Sequence, residues 1–317
     1  MKKKLINETH LEGFIYDHKL AIKESGPQSK NPGTEFISGT LNIATDDAMM
    51  NVIPVHFTYT TATFGTSGKT NTTFGILKDI IDGKVKTVVS DGKENAACVR
   101  VDSNLALNEW YDKEDKLVSV MRNEGGFVHI VPANEIDSNE NKRNTFKVDI
   151  VINGCIRQEA DDEKGTPEKM TIKGAIFNFK NELLPVKLSV VNPAAMNYFE
   201  SLDASQNTPV FTKLWGNQIS ETKTTIKTEE SAFGDDAVTE TKSSYKDFVI
   251  TGAAKSTYEW DTEETILASE LSEAMAQREV TLAEIKKRQD EYQASKNNAI
   301  PAAAAPTAAP TKANYNF

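Results

Sequence analysis

The feature that most constrains this chain is an internal repeat whose members keep their order. In the first half, Gly13-Phe14-Ile15-Tyr16 closes an alternating apolar segment, and in the second Gly154-Cys155-Ile156-Arg157 follows Val148-Asp149-Ile150-Val151-Ile152. Each is followed by a polar loop carrying a proline, Pro32 or Pro167. Five residues on stands an isoleucine (Ile37, Ile172), and two further a glycine (Gly39, Gly174). Ile53-Pro54-Val55-His56-Phe57 is then matched by Leu184-Pro185-Val186-Lys187-Leu188. A helical stretch comes next, 73–82 in one half and 193–202 in the other. Two strand-like runs close each half, 97–110 with 116–131 and 210–226 with 238–252. Chance supplies one such match but not the series, so the chain should fold as two copies of one unit.

The strands are read from period-two alternation and enrichment in β-branched and aromatic residues. Pro54 marks an edge or a bulge, because proline donates nothing to a ladder. Gly39 and Gly174 fall inside strands, where glycine weakens pairing unless the strand must bend, as it must at the corner of a small barrel. Five strands with a helix before the fourth describe an OB-fold, a partly open barrel whose face and loops bind oligonucleotides. The expected fold is therefore mainly β, with OB-fold-like five-stranded barrels in tandem at 1–135 and 145–257. Asp261 followed by Glu264 predicts a helix start. The helix should run over 261–295, with Leu267, Leu271, Met275, Leu282, Ile285 and Tyr292 as its apolar stripe, docked on the barrels, the alternative being a short coiled-coil contact between subunits. The stripe is interrupted between Met275 and Leu282. From 297 to 317 the chain is alanine, proline and threonine with almost no charge, a composition that predicts a disordered tail.

Two segments carry a family resemblance. Ile37-Ser38-Gly39-Thr40-Leu41-Asn42-Ile43-Ala44-Thr45 resembles the second strand of the single-stranded DNA-binding proteins of bacteria and their phages. Leu107-Asn108-Glu109-Trp110-Tyr111-Asp112-Lys113 resembles that family's long hairpin between the fourth and fifth strands, with an aromatic near its tip. A low-complexity linker closing on a short terminal peptide is a further likeness, and the whole chain is similar to phage replication-module proteins. The resemblance implies a tandem two-module phage version that binds single-stranded DNA in the bacterial host cytoplasm. It departs from the family in holding two modules in one chain. It departs again in the tip Asn314-Tyr315-Asn316-Phe317, which has no acidic residue.

Single-stranded nucleic acid is held by aromatic faces that stack on bases and by cations that follow the phosphates. In the first module the candidates are Phe57 and Tyr59 on one strand, Trp110 and Tyr111 on the hairpin, and the cations Arg100, Lys113 and Arg122. In the second they are Phe177, Phe179 and Trp215 with Lys173, Lys187, Lys213 and Lys223. Phe57 and Tyr59 share a strand face, so both should be inside or both outside. Strand aromatics more often fill cores, and the Trp110-Tyr111 pair could equally anchor its hairpin to the neighbouring module. The first module reads as the better-endowed binder. In the tail, Tyr315 and Phe317 suit a tethered peptide captured by replication or recombination proteins. An inert tail is the alternative.

Other classes are disfavoured. The net charge is −10, of which −4 lies from Ser256 onward (ten acidic, six basic) and −6 before it. A polyanion site must therefore be a local patch. Thr63-Phe64-Gly65-Thr66-Ser67-Gly68-Lys69-Thr70 approaches a phosphate-binding loop but has a threonine for its first glycine, and no helix starts at once behind it. It reads as a barrel loop whose Lys69 could touch nucleic-acid backbone. His10, His18, His56 and His129 lack metal spacing. His56 and His129 read as structural strand residues, and Cys98 and Cys155 as reduced thiols. No apolar run is long enough to span a membrane. The expectation is a non-catalytic binder without cofactor or metal, its oligomeric state open. The alternative is a structural or assembly protein whose modules make protein contacts only, which the acidic balance favours.

Overall fold

The alternating segments become strands where the sequence places them. The structure is a computed structural model. It describes residues 5–65, 67–160, 167–229, 233, 237–262 and 266–298, with the backbone alone described at 222–229, 237–244 and 295–298. The first half contributes β1 (Asn7–His18), β2 (Ala21–Glu24), β3 (Glu35–Ala44), β4 (Val52–Thr61), α1 (Thr72–Ile81), α2 (Val88–Asp91), β5 (Cys98–Tyr111) and β6 (Leu117–Val131). The second contributes β7 (Asn144–Gln158), β8 (Lys169–Phe177), β9 (Leu183–Val190), α3 (Pro193–Ser201), β10 (Val210–Glu229) and β11 (Ala237–Ala253), and α4 (Ala268–Asn298) follows.

The pairings close each half on itself. In the first, β1 pairs with β3, β3 with β4, β4 in parallel with β6, β6 with β5, and β5 with β1. In the second, β7, β8, β9, β11 and β10 repeat that circuit, again with one parallel contact, Val249 beside Ser189. The fold is thus mainly β, two OB-fold-like barrels in tandem, as the repeat requires. Among the described residues, the added strand β2 pairs with β3 alone and has no counterpart in the second half.

Alternation also dictates the cores. Leu11, Ile15, Leu41, Ile43, Val55, Phe57, Val99 and Val101 fill the first barrel, and Phe74, Leu77 and Ile80 of α1 close its end. Val148, Ile150, Ile152, Ile172, Leu188 and Val190 fill the second, closed by Met196 and Phe199 of α3. Each such side chain contributes roughly 1.5–3 kcal/mol by leaving water. Helix α3 starts with Pro193 behind Asn192, whose side chain accepts from Ala194 and Ala195 N–H at 2.9 and 3.2 Å, satisfying donors that a helix start leaves open. Gly39 sits where the β3–β4 register shifts, at φ +133°, and a Cβ there would lie 2.1 Å from the Lys19 carbonyl oxygen. Only glycine lets the strand turn that corner.

The barrels are joined through backbone. The start of β1 pairs with β7, from Asn7 beside Val148 to Leu11 beside Asn144, so one sheet runs through both. The Asn7 amide, buried at the join, donates to the Leu105 and Phe177 carbonyls at 2.9 and 3.2 Å and accepts from Leu105 N–H at 2.9 Å. Farther along, Asn51 accepts from Ser220 N–H at 2.7 Å and donates to the Gln218 carbonyl at 3.1 Å.

The β5–β6 hairpin also crosses the boundary. Its bend is a bulge at Gly125–Gly126, with φ +63° and +108°. Beyond it Leu105, Leu107 and Met121 pack on the second core, not the first.

Helix α4 starts later than the sequence suggests. Asp261 lies in a turn at φ +61°, yet its carboxylate still caps the helix by accepting from Ala268 N–H at 2.8 Å. Glu264 and the tail 299–317, with Tyr315 and Phe317, lie outside the described residues; Asn297 and Asn298 end the helix. The face turned to the barrels is not the full expected stripe. Leu271 and Ala274 pack on Phe211 and its neighbours, whereas Met275 and Tyr292 are more than half exposed. The gap between Met275 and Leu282 is filled by Arg278, which reaches Glu109.

Candidate functional site

Where hairpin β5–β6 leans over the second barrel, it leaves a groove of about 1050 Å³. One wall is the hairpin, with Trp110, Lys116, Val120 and Arg122. The other is the outer face of β8 and β9, with Lys173 and Lys187. Pro54 and His56 of β4, Gln218, Lys246 and Phe248 of β10 and β11, and the carboxyl-bearing Glu109, Asp112 and Asp247 are among the rest of its lining.

Lys173 and Lys187 stand directly opposite each other on antiparallel strands, both exposed. Like charges in that arrangement repel. Neither has an ion-pair partner among the described residues, and the same holds for Lys246. Arg122 is paired with Glu124 at 2.6 Å, and its buried Nε has no hydrogen-bond partner among the described residues. Lys116 pairs with Glu114 at 2.5 Å. Trp110 is 38% exposed. His56 accepts or donates at 3.2 Å with the Thr40 hydroxyl. Burial, followed by the neighbouring Arg122 charge, holds its imidazole below the usual histidine range, so the first barrel's side of the groove carries no histidine charge near neutral pH.

The hairpin wall is braced by α4. Arg278 makes a two-pronged ion pair with Glu109, both side chains nearly buried at 10% and 5% exposure. Gln289 completes the strand edge at Tyr111, accepting from its N–H at 2.9 Å and donating to its carbonyl. Lys286 bonds Asp115 and lies 5.4 Å from the Tyr111 ring centre.

The residues singled out by sequence therefore separate. Trp110, Arg122, Lys173 and Lys187 meet in the groove. Phe57 and Phe177 do not reach solvent: they are 2% and 3% exposed and belong to cores, so neither presents a face to a base. Phe57 and Tyr59 were expected to share an environment, but Tyr59 is 51% exposed. The β3–β4 register shifts between Phe57, opposite Gly39, and Thr60, opposite Ile37, and within the shift Tyr59 rests on Phe36, ring centres 4.5 Å apart. Tyr111 is claimed by α4. Arg100 is bonded to the buried carboxylate of Glu12 at 2.5 Å. Lys113 is exposed in the hairpin turn, Phe179 is 80% exposed in the β8–β9 turn, and Lys213 and Trp215 lie on another face. Lys223 is on β10 with its side chain outside the described residues. Against the expectation of a turn behind this loop, α1 starts at Thr72, but Lys69 is exposed and the loop's amides bond internally, Phe64 N–H to the Lys69 carbonyl at 2.9 Å and Gly68 N–H to the Phe64 carbonyl at 2.8 Å.

Sequence reasoning missed Lys116, Lys246 and Arg278. Lys246 shares a strand face with the half-buried Phe248, opposite to the buried Asp247 and Val249, but its approach to β8 and β9 follows from barrel closure. Cys98 is buried and Cys155 half-buried, and burial pushes both thiols up. No group of three or more His, Cys, Asp or Glu placed to hold a metal ion occurs among the described residues. No helix among them is long and apolar enough to cross a membrane.

Comparison with known proteins gives one family. The family model described as YorF matches residues 7–288. No curated protein matches the sequence. Among solved structures, a deletion mutant of the single-stranded DNA binding protein from Thermus aquaticus superposes with a TM-score of 0.46 at 9% identity, over 81% of this chain and 97% of that one.

Proposed function

This chain belongs to the YorF family, and we propose that it is a non-catalytic binder of single-stranded DNA that works through the groove between its barrels. The observation that carries the reading is the opposed pair Lys173–Lys187, without an ion-pair partner among the described residues, on the second- and third-strand face of an OB-fold-like barrel. That face is where such barrels take oligonucleotides. Two ammonium groups held side by side without a counter-ion are stabilised by a polyanion. Lys246 extends the positive lining, Arg122 stands on the facing wall already paired with Glu124, and Trp110 on that wall offers an indole for a base. Stacking of that kind contributes about 1–3 kcal/mol per base.

The rest of the reading is a role in phage DNA replication or recombination, in the cytoplasm of a bacterial host. There Tyr315 and Phe317 would engage partner proteins. A purely structural role in assembly is the competing reading, favoured by the net charge of −10. The test is binding of the full chain to a labelled single-stranded oligonucleotide across a salt series. Affinity should fall with log salt at a slope of about −0.7 per phosphate contacted. Absence of binding at low salt, or equal preference for duplex, overturns the proposal and leaves assembly.

A further inference from the structure

A second aromatic and cationic surface lies outside the groove, on the face of β7 and β10 turned away from the second core. Leu214 is fully buried, so the period of the strand turns Lys213 and Trp215 outward. Toward one end this face is covered. Phe211 is buried beneath Tyr258 and Trp260, ring centres 4.9 and 5.9 Å away. Asp149, opposite Lys213, is buried and accepts from Ile6 N–H at 2.8 Å and from the Tyr258 hydroxyl at 2.9 Å.

The cover stops at the next cross-strand pair. Trp215 stands between Lys147 on β7 and Gly252 on β11 and is 40% exposed. Its indole packs on Gly252, where an added Cβ would lie 2.3 Å from the ring nitrogen. Glycine is thus what makes room for the ring. Lys147 is exposed and forms no ion pair among the described residues, although Glu8 stands opposite it on β1. The Lys213 ammonium lies 5.9 Å from the Tyr258 ring centre.

We infer that Trp215, Lys147 and Lys213 form a second contact for single-stranded nucleic acid, taking up the strand after it leaves the groove. The inference rests on the groove reading. The link between the two places is β10 itself: Ser220 lines the groove, and Trp215 is five residues back, about 17 Å at ~3.4 Å per residue. A strand confined to the groove does not reach Trp215, whereas a longer one does.

Oligothymidylates of about 6 and about 40 nucleotides, below and above the combined span of two such barrels, separate the cases. Trp215→Ala should leave the affinity for the short oligonucleotide unchanged and weaken the long one about 5- to 150-fold. Trp215→Phe should restore most of the loss, showing that an aromatic face is required. Lys147→Ala should reduce the salt slope for the long oligonucleotide by about 0.7. Equal losses at both lengths, or no loss at the longer, overturn the second contact while the groove stands. If the unmodified chain binds neither length, the groove reading falls and takes this one with it.

Discussion

Counted from their matching prolines, Pro54 and Pro185, the two barrels put different residues at the same place on the same face. In the first, Thr40 stands opposite His56, and the two are hydrogen-bonded. In the second, Lys173 stands opposite Lys187, and both are open to solvent without an ion-pair partner among the described residues. One position on, Phe57 and Leu188 both turn inward and are buried. Inward positions are fixed because each barrel must be filled, while the outward ones are free to diverge. The first barrel satisfies its pair internally and lends the groove a hairpin. The second leaves its pair unsatisfied and lends the groove charge.

The comparison can be broken at several levels, and the inward residues should show the largest effect. Phe57→Ala should cost about 3–5 kcal/mol and Leu188→Ala about 2–5 kcal/mol, read from the denaturant midpoint. Tyr59→Ala, outside the core, should cost well under half of that. A similar penalty for Tyr59 would mean that the outer face, too, holds the first barrel together.

The hairpin brace comes next. Arg278→Ala strips a nearly buried partner from Glu109, a change that costs about 3–5 kcal/mol where the ion pair is fully enclosed. The loss should appear as faster hydrogen exchange over residues 105–121, with β8 and β9 unaffected. Unchanged exchange there would show that packing of Leu105 and Leu107 alone holds the hairpin over the second barrel.

Charge reversal tests the divergent pair itself. Lys173→Glu with Lys187→Glu should weaken single-stranded DNA binding more than tenfold, about 1.4 kcal/mol, with little change in stability, whereas Thr40→Ala with His56→Ala should alter affinity less. If the first-barrel pair proves the more damaging, the assignment of the cationic floor to the second barrel is wrong.

The smallest effect is in the response to acid. His56 is held below its ordinary value of 6.5, so the unfolded chain takes up its proton first. The stability it contributes is present above about pH 6.5 and is lost as the pH falls through its lower folded value. Asp247 bridges the second barrel's parallel seam. Burial pushes its carboxyl up, but bonds from Lys169, Ser189 and Tyr245, each at 2.6 Å, outweigh burial and hold it below 3.8. In the same cluster burial, followed by the bond to Asp247, raises the Tyr245 hydroxyl to about 12. Asp247's contribution is therefore complete above its ordinary value and is lost only as the pH falls through its folded one. Acid titration followed by hydrogen exchange should loosen the first barrel before the second, and His56→Gln should remove the earlier step. Simultaneous loosening would show that the shared β1–β7 sheet couples the barrels too tightly to titrate apart.

The sequence by itself determined the repeat, the strands and the inward residues, because alternation reports which side of a strand must leave water. It also supplied four of the groove's residues, Trp110, Arg122, Lys173 and Lys187. The tertiary structure decided that these four meet, since the bulge at Gly125–Gly126 carries the hairpin over the other barrel and barrel closure brings Lys246 beside them. It placed Phe57 in a core and Tyr59 outside it, because a register shift between their partners undoes the simple alternation. It also drew Arg278 from a break in an apolar stripe into the brace on Glu109. Spacing along a chain fixes which face a residue takes. Which faces come together depends on contacts between residues far apart in sequence, such as Asn7 with Leu105 and Phe177, and only the folded chain contains them.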